Sequence, residues 1–253
     1  MTHSRIIALV GGRNFRDLGG YPAIDGRITR WRTLYRSGSL ARLTSADVEI
    51  LTGMGIQAVY DLRNERERAT EPHHWPDSTD LLVYQRDYNS SGAELSRLLD
   101  MPWVKGSDAH QAMMNNYREL PYEQAEAYKA LFEGIATGNL PLLFNCSAGK
   151  DRTGIAAALL LDLLGIDRDV ILDDYILTER AFNFRMLVDK SSEGRAPSED
   201  VVDALIAAHP DYLNACFEQI TNQHGDVASY FDEVLGINLD VQEHIRQKLL
   251  VEA

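Results

Sequence analysis

The stretch that decides the fold is Asn145-Cys146-Ser147-Ala148-Gly149-Lys150-Asp151-Arg152-Thr153-Gly154. A short apolar run, Leu140–Asn145, leads into it, and the small and apolar residues of Arg152–Leu164 follow it. This pattern predicts a buried strand, a loop of small residues and the start of a buried helix. The unpaired backbone N–H groups at such a helix start converge on one point and favour an anion there. We therefore expect an anion-binding loop bracketed by Cys146 and Arg152.

Cys146 stands where a nucleophile would meet that anion, provided that its thiol ionises. A cysteine with a pKa of about 8.5 is only about 3% thiolate at pH 7, and a mostly ionised one needs roughly 4 kcal/mol of stabilisation. A helix dipole supplies at most about 2 kcal/mol. Converging amides, the Thr153 hydroxyl and the Arg152 guanidinium must add the rest, and a planar guanidinium can hold two phosphate oxygens. The loop therefore favours nucleophilic chemistry on a phosphate ester.

Three stretches of the chain resemble a known family. The loop is similar to the C-x5-R signature of cysteine-dependent protein tyrosine phosphatases. With Asn14–Gly20 and Tyr35–Gly38, its AGKDRTG core resembles the bacterial atypical tyrosine phosphatases, which have dual specificity and also act on phosphoinositides. The resemblance implies a hydrolysis without cofactor or metal, in which Cys146 forms a cysteinyl-phosphate. It also implies that the substrate phosphate is bound by the loop residues Ser147, Ala148, Gly149, Lys150, Asp151 and Arg152.

The leaving group needs a proton, and three aspartates are candidates for the general acid. Asp151 lies inside the loop, and the resemblance favours it. Asp61 ends a predicted strand over Ile56–Asp61, at the sheet edge where open α/β proteins place their sites. Asp77 belongs to Trp75-Pro76-Asp77, which has the letters of the acid loop of larger tyrosine phosphatases, but a turn would contain Pro-Asp in any case. We favour Asp151 and keep Asp61 as the alternative.

Two positions leave alternatives open. The phosphatase pattern usually has histidine before the cysteine, whereas this chain has Asn145, whose amide can hold the loop but carries no charge. A catalytically weak, phosphate-binding pseudophosphatase scaffold is therefore the alternative function, and a sulfurtransferase with a persulfidated Cys146 is a third. Lys150 either adds a second cation for lipid head groups or is a solvated surface residue.

We expect the arginines near the N-terminus to have structural rather than catalytic roles. Arg16 and Asp17 are expected to support the loop through an ion pair, with substrate contact as the alternative. Alternation along a strand places Arg30, Arg32 and Arg36 on one face, which we expect to be solvated.

The pattern between the motifs predicts an α/β fold. The other predicted elements are a hairpin over Tyr21–Arg36 with its turn at Asp25-Gly26, a strand at Leu81–Gln85, and helices over Thr44–Met54, Pro121–Thr137, Val170–Val188 and Ser198–His209. We expect a small, mostly parallel sheet flanked by helices, with the hairpin at the N-terminal side and a helical part at the C-terminal side. This is a single phosphatase domain over residues 1–253. Residues 181–235 form either a lid or a permanently docked helical subdomain.

Composition limits the partners. The 253 residues include 25 Lys+Arg against 38 Asp+Glu, a net charge of −13, which argues against nucleic acid as a partner. No apolar run is long enough for integral membrane association. The two cysteines and the polar start of the chain favour a cytoplasmic protein, in which Cys216 packs in a core. The seven histidines show no metal-ligand spacing, so we expect no metal. The expected partner is a phosphorylated protein or phosphoinositide substrate.

Overall fold

The computed structural model describes residues 4–73, 81–88, 103–185 and 198–253. Its strands are β1 (Arg16–Asp17), β2 (Ile28–Thr29), β3 (Leu34–Ser37), β4 (Ala58–Asp61), β5 (Leu82–Gln85), β6 (Leu142–Asn145) and β7 (Leu250–Val251). Its helices are α1 (Ser45–Gly53), α2 (Glu65–Thr70), α3 (Gly106–Glu123), α4 (Ala125–Thr137), α5 (Asp151–Leu163), α6 (Arg168–Ile176), α7 (Thr178–Ala181), α8 (Glu199–Ile206), α9 (Pro210–His224), α10 (Val227–Glu233) and α11 (Leu239–Leu249).

A five-stranded sheet in the order β1-β3-β6-β4-β5 forms the centre of the fold. The pairs β3–β6, β6–β4 and β4–β5 are parallel, and β1 runs antiparallel to β3. The prediction of an α/β fold with a mostly parallel sheet is confirmed. At the carboxyl end of the central strand β6, Asn145 pairs with Ser37 of β3 and Asp61 of β4. The loop therefore begins where three parallel strands end.

Side-chain alternation along the strands divides the core into two layers. Leu142 and Phe144 of β6 pack into the larger cluster with α4 and α5, whereas Leu143 packs on the opposite face with Leu51 of α1. Both faces are apolar because helices cover the sheet on each side. Cys216 is fully buried in the larger cluster, which confirms its predicted place in the core.

The predicted hairpin is correct at its turn and wrong in its second strand. An isolated bridge pairs Pro22 with Ile28 around the turn, where Gly26 has a φ of 89°. The chain then breaks at Arg32, which has a φ of 58°, so that β2 pairs with β7 and β3 enters the central sheet. Side chains alternate between the two faces of a strand only while the strand continues. The alternation therefore cannot be counted from Arg30 across Arg32 to Arg36.

The break explains why the predicted arginine face is wrong. Arg30 and Arg32 are exposed, as expected of a solvated face, but Arg36 is fully buried. Arg36 lies in β3 beside β6, and its side chain turns inward under the loop that follows β6.

The C-terminal helices are shorter than the sequence pattern predicts. The predicted helix Val170–Val188 divides into α6 and α7, and its last residues lie outside the described part of the chain, as does 190–197. Ser198 stands at the N-cap position of α8 as expected, although its side chain makes no capping hydrogen bond. Helix α8 ends before His209, because His209 caps α9 and Pro210 begins it. Both α8 and α9 pack against α3, of which the predicted helix Pro121–Thr137 includes only the last three residues. Among the described helices, none has the length and apolar character needed to cross a membrane.

Candidate active site

The anion-binding loop joins β6 to α5 at the middle of the sheet edge. Cys146 is 1% exposed, and its Sγ accepts a hydrogen bond from the backbone N–H of Gly149 at 3.2 Å. Asp151 and Arg152 form the first turn of α5, so the positive end of the helix dipole faces the loop. An amide donor and a helix N-terminus both favour a bound anion at this point.

Hydrogen bonds from outside the loop fix the direction of its peptide groups. The carbonyl oxygen of Gly149 accepts from Asn14 Nδ2 at 2.8 Å and from Arg36 Nη2 at 2.9 Å. The carbonyl oxygen of Ser147 accepts from the backbone N–H of Ser39 at 2.9 Å. In a trans peptide the carbonyl and the N–H point in opposite directions. With their carbonyls held outward, these peptides turn their N–H groups toward the centre of the loop, where they form an anion-binding nest.

Gly149 is required by the tight contact between the loop and the end of β3. It has a φ of 73°, which L side chains rarely adopt, and a Cβ there would lie 2.5 Å from the backbone N of Gly38. A Cβ on Gly38 would in turn lie 2.8 Å from the carbonyl carbon of Ala148. The two glycines therefore let the backbone of the loop approach the backbone at the end of β3. This contact accounts for the occurrence of both motifs, Tyr35–Gly38 and the loop, in one chain.

Glu67 of α2 holds the guanidinium of Arg152. Its carboxylate accepts from Nη1 at 2.7 Å and from Nη2 at 2.6 Å, and Nη1 also donates to the Tyr88 hydroxyl at 2.6 Å. The Ser147 hydroxyl donates to the same carboxylate. Among the hydrogen bonds of the described residues, the Nε–H of Arg152 has no acceptor. That edge of the guanidinium is therefore open to a further pair of acceptor oxygens.

The charges of this pair stabilise each other. Burial alone would raise the pKa of Glu67, but the hydrogen bonds and positive charge of Arg152, with the Ser147 hydroxyl, lower it to about 2. Burial alone would lower the pKa of Arg152, but Glu67 and the negative charge of Cys146 raise it well above its ordinary value. Arg152 therefore stays charged beside Cys146.

Asp151 is held by two donors at the edge of the loop. Its Oδ1 accepts from Lys150 Nζ at 2.7 Å and from the Tyr117 hydroxyl at 2.7 Å, and Tyr117 also contacts the Tyr175 hydroxyl at 2.6 Å. Burial raises the pKa of Tyr117 well above its ordinary value, with the charge of Asp151 acting in the same direction, so Tyr117 remains a protonated donor. Lys150 is buried and also donates to the Ala207 carbonyl at 3.2 Å. Its interpretation as a solvated surface residue is therefore wrong.

The other candidate residues have structural contacts. Asp61 is buried, and Arg63 donates to it from Nε at 2.9 Å and from Nη2 at 2.7 Å. Asn145 Nδ2 also donates to Asp61, at 3.3 Å, so the asparagine links the ends of β6 and β4. The Thr153 hydroxyl donates to the Ser37 carbonyl at 3.5 Å rather than to the sulfur. Asp77, the third acid candidate, lies outside the described residues.

A buried charge cluster supports the loop from below. Asp174 of α6 accepts from Arg36 Nη1 and from the Tyr21 hydroxyl, both at 2.6 Å, and lies 3.6 Å from Arg16 Nε. Burial alone would raise the pKa of Asp174, but the two arginines lower it to about 2. Arg16 also donates to the Asn14 side chain, which holds the Gly149 carbonyl. Arg16 thus supports the loop as expected, but its acidic partner is Asp174.

Sequence reasoning does not identify Glu67, Asp174 or Tyr117 as parts of the site. Asp17, the expected ion-pair partner of Arg16, instead accepts hydrogen bonds from the backbone N–H groups of Gly19 at 2.8 Å and Arg32 at 2.9 Å. It fixes the turn that leads out of β1. The one available signal for Glu67 is its position three residues after Asn64, which predicts a helix cap and does form one.

The chain is similar to known phosphatases. Residues 7–251 match the model of a tyrosine phosphatase family. A Cupriavidus necator protein named as a tyrosine-protein phosphatase is 34% identical over 240 residues, covering 89% of this chain and 82% of that protein. The triple specificity protein phosphatase PtpB of Mycobacterium tuberculosis is 30% identical over 276 residues, covering 96% of this chain and 98% of that protein. Among solved structures, the core catalytic domain of the PP-IP phosphatase SIW14 from S. cerevisiae is 15% identical, with a TM-score of 0.38 over 86% of this chain and 96% of that one.

Proposed function

This chain belongs to the tyrosine phosphatase family, and from that premise we propose that it hydrolyses phosphotyrosine through a cysteinyl-phosphate intermediate on Cys146. The observation that carries the proposal is the Sγ of Cys146, which accepts a hydrogen bond from the Gly149 amide and interacts electrostatically with the guanidinium of Arg152, itself held by Glu67. These are the groups that a phosphoryl transfer needs, because its charge spreads over three equatorial oxygens.

In the first step, the Cys146 thiolate attacks phosphorus, the S–P bond forms, and the bond between phosphorus and the leaving oxygen breaks. The free edge of Arg152 binds two equatorial oxygens, and the amides of the loop bind the remaining negative charge. Glu67 keeps the guanidinium in the plane of the loop. Water then attacks the cysteinyl-phosphate, which releases inorganic phosphate and restores the thiolate.

Asp151 is the proposed general acid. Its Oδ1 already accepts two hydrogen bonds, which leaves Oδ2 to carry the proton to the leaving oxygen and to accept one from water in the second step. The alternative acid, Asp61, is buried in its pair with Arg63. Asp151→Asn should slow phenyl phosphate hydrolysis far more than p-nitrophenyl phosphate hydrolysis, because the poorer leaving group needs the proton more. Equal losses for both substrates, or the selective loss in Asp61→Asn instead, would overturn the assignment.

We infer a broader substrate range as a second part of the proposal. The M. tuberculosis relative is named for triple specificity, and Lys150 adds a positive charge next to Asp151. Phosphoserine or phosphothreonine peptides and phosphoinositides are therefore the secondary substrates. Of the two alternatives for residues 181–235, we infer the docked helical subdomain, since Cys216 within it is buried in the larger core cluster and Ala207 accepts a hydrogen bond from Lys150. We propose a cytoplasmic location, where thiols stay reduced, and both cysteines are free thiols.

The test compares wild-type protein with Cys146→Ser in metal-free steady-state assays on a phosphotyrosine peptide, a phosphoserine peptide and short-chain phosphoinositides. Turnover on phosphotyrosine that the serine variant abolishes supports the proposal, and the relative rates order the other substrates. A wild type that binds these ligands without turnover would instead support the pseudophosphatase scaffold, with Asn145 as its mark.

A further inference from the structure

Three side chains that can bind metal converge where α3 meets α9. They are His110 of α3, His209 at the N-cap of α9 and Asp211 in its first turn, and one ligand atom from each lies within 4.8 Å of the others. His110 stands 101 residues before Asp211, so sequence spacing does not predict the cluster. The expectation that the histidines form no metal pattern is therefore incomplete.

Two of the three separations between the ligand atoms fit one tetrahedral ion, and the third lies within 4.8 Å. Two ligands of a tetrahedral Zn²⁺ with bonds of about 2.0 Å lie about 3.3 Å apart. Nε2 of His110 lies 3.2 Å from Oδ2 of Asp211, and Nδ1 of His209 lies 3.4 Å from the same oxygen. We propose that these three residues form a Zn²⁺ site, with water as the fourth ligand. Two imidazoles with one carboxylate are a donor set that zinc prefers.

The cluster is open enough to exchange an ion with solvent. The side chains of His110, His209 and Asp211 are 31%, 44% and 52% exposed. The two imidazole rings meet edge to face, with centroids 4.8 Å apart. Without metal, Nδ1 of His209 accepts a hydrogen bond from the backbone N–H of Asp211 at 3.2 Å. Zinc would take that lone pair and exchange one cap hydrogen bond for a metal bond.

A bound ion would fasten α9 to α3 close to the catalytic loop. His110 lies seven residues, about two turns, before Tyr117 on the same face of α3. The ring of Tyr212, next to Asp211, packs against both His110 at 4.9 Å and Tyr117 at 5.6 Å. The zinc therefore acts as a structural cross-link between α3 and α9, two helices that pack together but are far apart in the sequence.

The test is equilibrium binding of Zn²⁺ to the full chain, after chelator treatment, in a Cys146→Ser background that removes the thiolate as a competing ligand. We expect one equivalent of Zn²⁺, tetrahedral d–d bands when Co²⁺ replaces it, and a higher Tm with metal. Asp211→Asn and His110→Ala should each weaken Zn²⁺ binding by more than about tenfold, since loss of a group that only hydrogen-bonds to a metal ligand already costs about 10- to 100-fold. His244→Ala, at an exposed histidine of α11, is the control and should bind as the parent does.

Asp211→Asn keeps the size of an exposed side chain, so we expect this variant to fold, and a loss of Zn²⁺ binding in it is not explained by misfolding. Circular dichroism and the metal-free Tm verify that each variant is folded. The proposal is wrong if the parent shows no saturable Zn²⁺ binding, or if its affinity and Tm shift persist in both Asp211→Asn and His110→Ala. Because the measurement uses a protein without the nucleophile, it stands independently of phosphatase activity.

Discussion

Glu67→Gln tests whether the clamp on Arg152 matters for folding and for rate. The depression of the Glu67 pKa from 4.5 to about 2 corresponds to about 3 kcal/mol in favour of the folded carboxylate. The side chain of Glu67 is only 27% exposed and that of Arg152 only 16%, so solvent does not screen most of this interaction. Glutamine keeps the size of the side chain but loses the charge. We expect the variant to lose about 2–3 kcal/mol of unfolding free energy at pH 7.

The same substitution releases the guanidinium from its position beside Cys146. A loss of about 1.4–2.7 kcal/mol of transition-state stabilisation lowers kcat by about 10- to 100-fold, with a smaller change in KM. Urea unfolding and p-nitrophenyl phosphate kinetics measure the two effects. Glu65→Gln, on the exposed side of α2, is the matched control and should change stability by less than about 0.5 kcal/mol.

The pH dependence of stability gives a further check on Glu67. Because its pKa is lowered in the folded protein, its contribution is fully present above pH 4.5 and is lost as the pH falls through about 2. The stability difference between wild type and Glu67→Gln should therefore be largest near neutrality and shrink in acid. A variant that keeps wild-type kcat and stability at pH 7 would refute the role of the clamp.

Three further substitutions probe the supports of the loop. Asp174→Asn leaves two buried arginines without their counter-charge, so urea unfolding should show a loss of about 3–5 kcal/mol, whereas the exposed Asp173→Asn should show almost none. Gly149→Ala forces a strained φ and a backbone clash, so kcat should fall at least about tenfold; Gly53→Ala, where a Cβ meets nothing within 4 Å, should leave it unchanged. Tyr117→Phe removes one donor to the proposed acid, and should lower kcat more for phenyl phosphate than for p-nitrophenyl phosphate.

The parts of the fold that the sequence predicts are contiguous in the chain. The β6, loop and α5 unit follows from one apolar run, one set of small residues and one helical run, and the helix over Ser45–Gly53 follows from its capping pair, Thr44 and Asp47. These signals are local, and each element forms within a few residues of the predicted bounds. The proposed nucleophile, Cys146, and the proposed phosphate-binding arginine, Arg152, lie within the same unit, which is why both can be predicted from the sequence.

The parts that the sequence does not predict depend on distant contacts. Glu67 meets Arg152 across 85 residues, and its spacing from Asn64 suggests only a helix cap. Arg36 is wrongly expected in solvent, since one left-handed residue at Arg32 interrupts the alternation on which the expectation rests. Its counter-charge, Asp174, lies 138 residues further along. These ion pairs form only when the strand ends and helices come together in the folded protein, so no local pattern in the sequence predicts them.

The most direct test of the account is to look for phosphate on Cys146 during turnover. Wild-type protein is mixed with a phosphotyrosine peptide, quenched in acid within the first turnover, digested and examined by mass spectrometry. The account predicts a phosphoryl group on the peptide that contains Cys146, formed at a rate at least equal to kcat, and none on the same peptide from Cys146→Ser. Turnover with no phosphoryl group on that peptide at any time, or turnover that persists in Cys146→Ser, would contradict it.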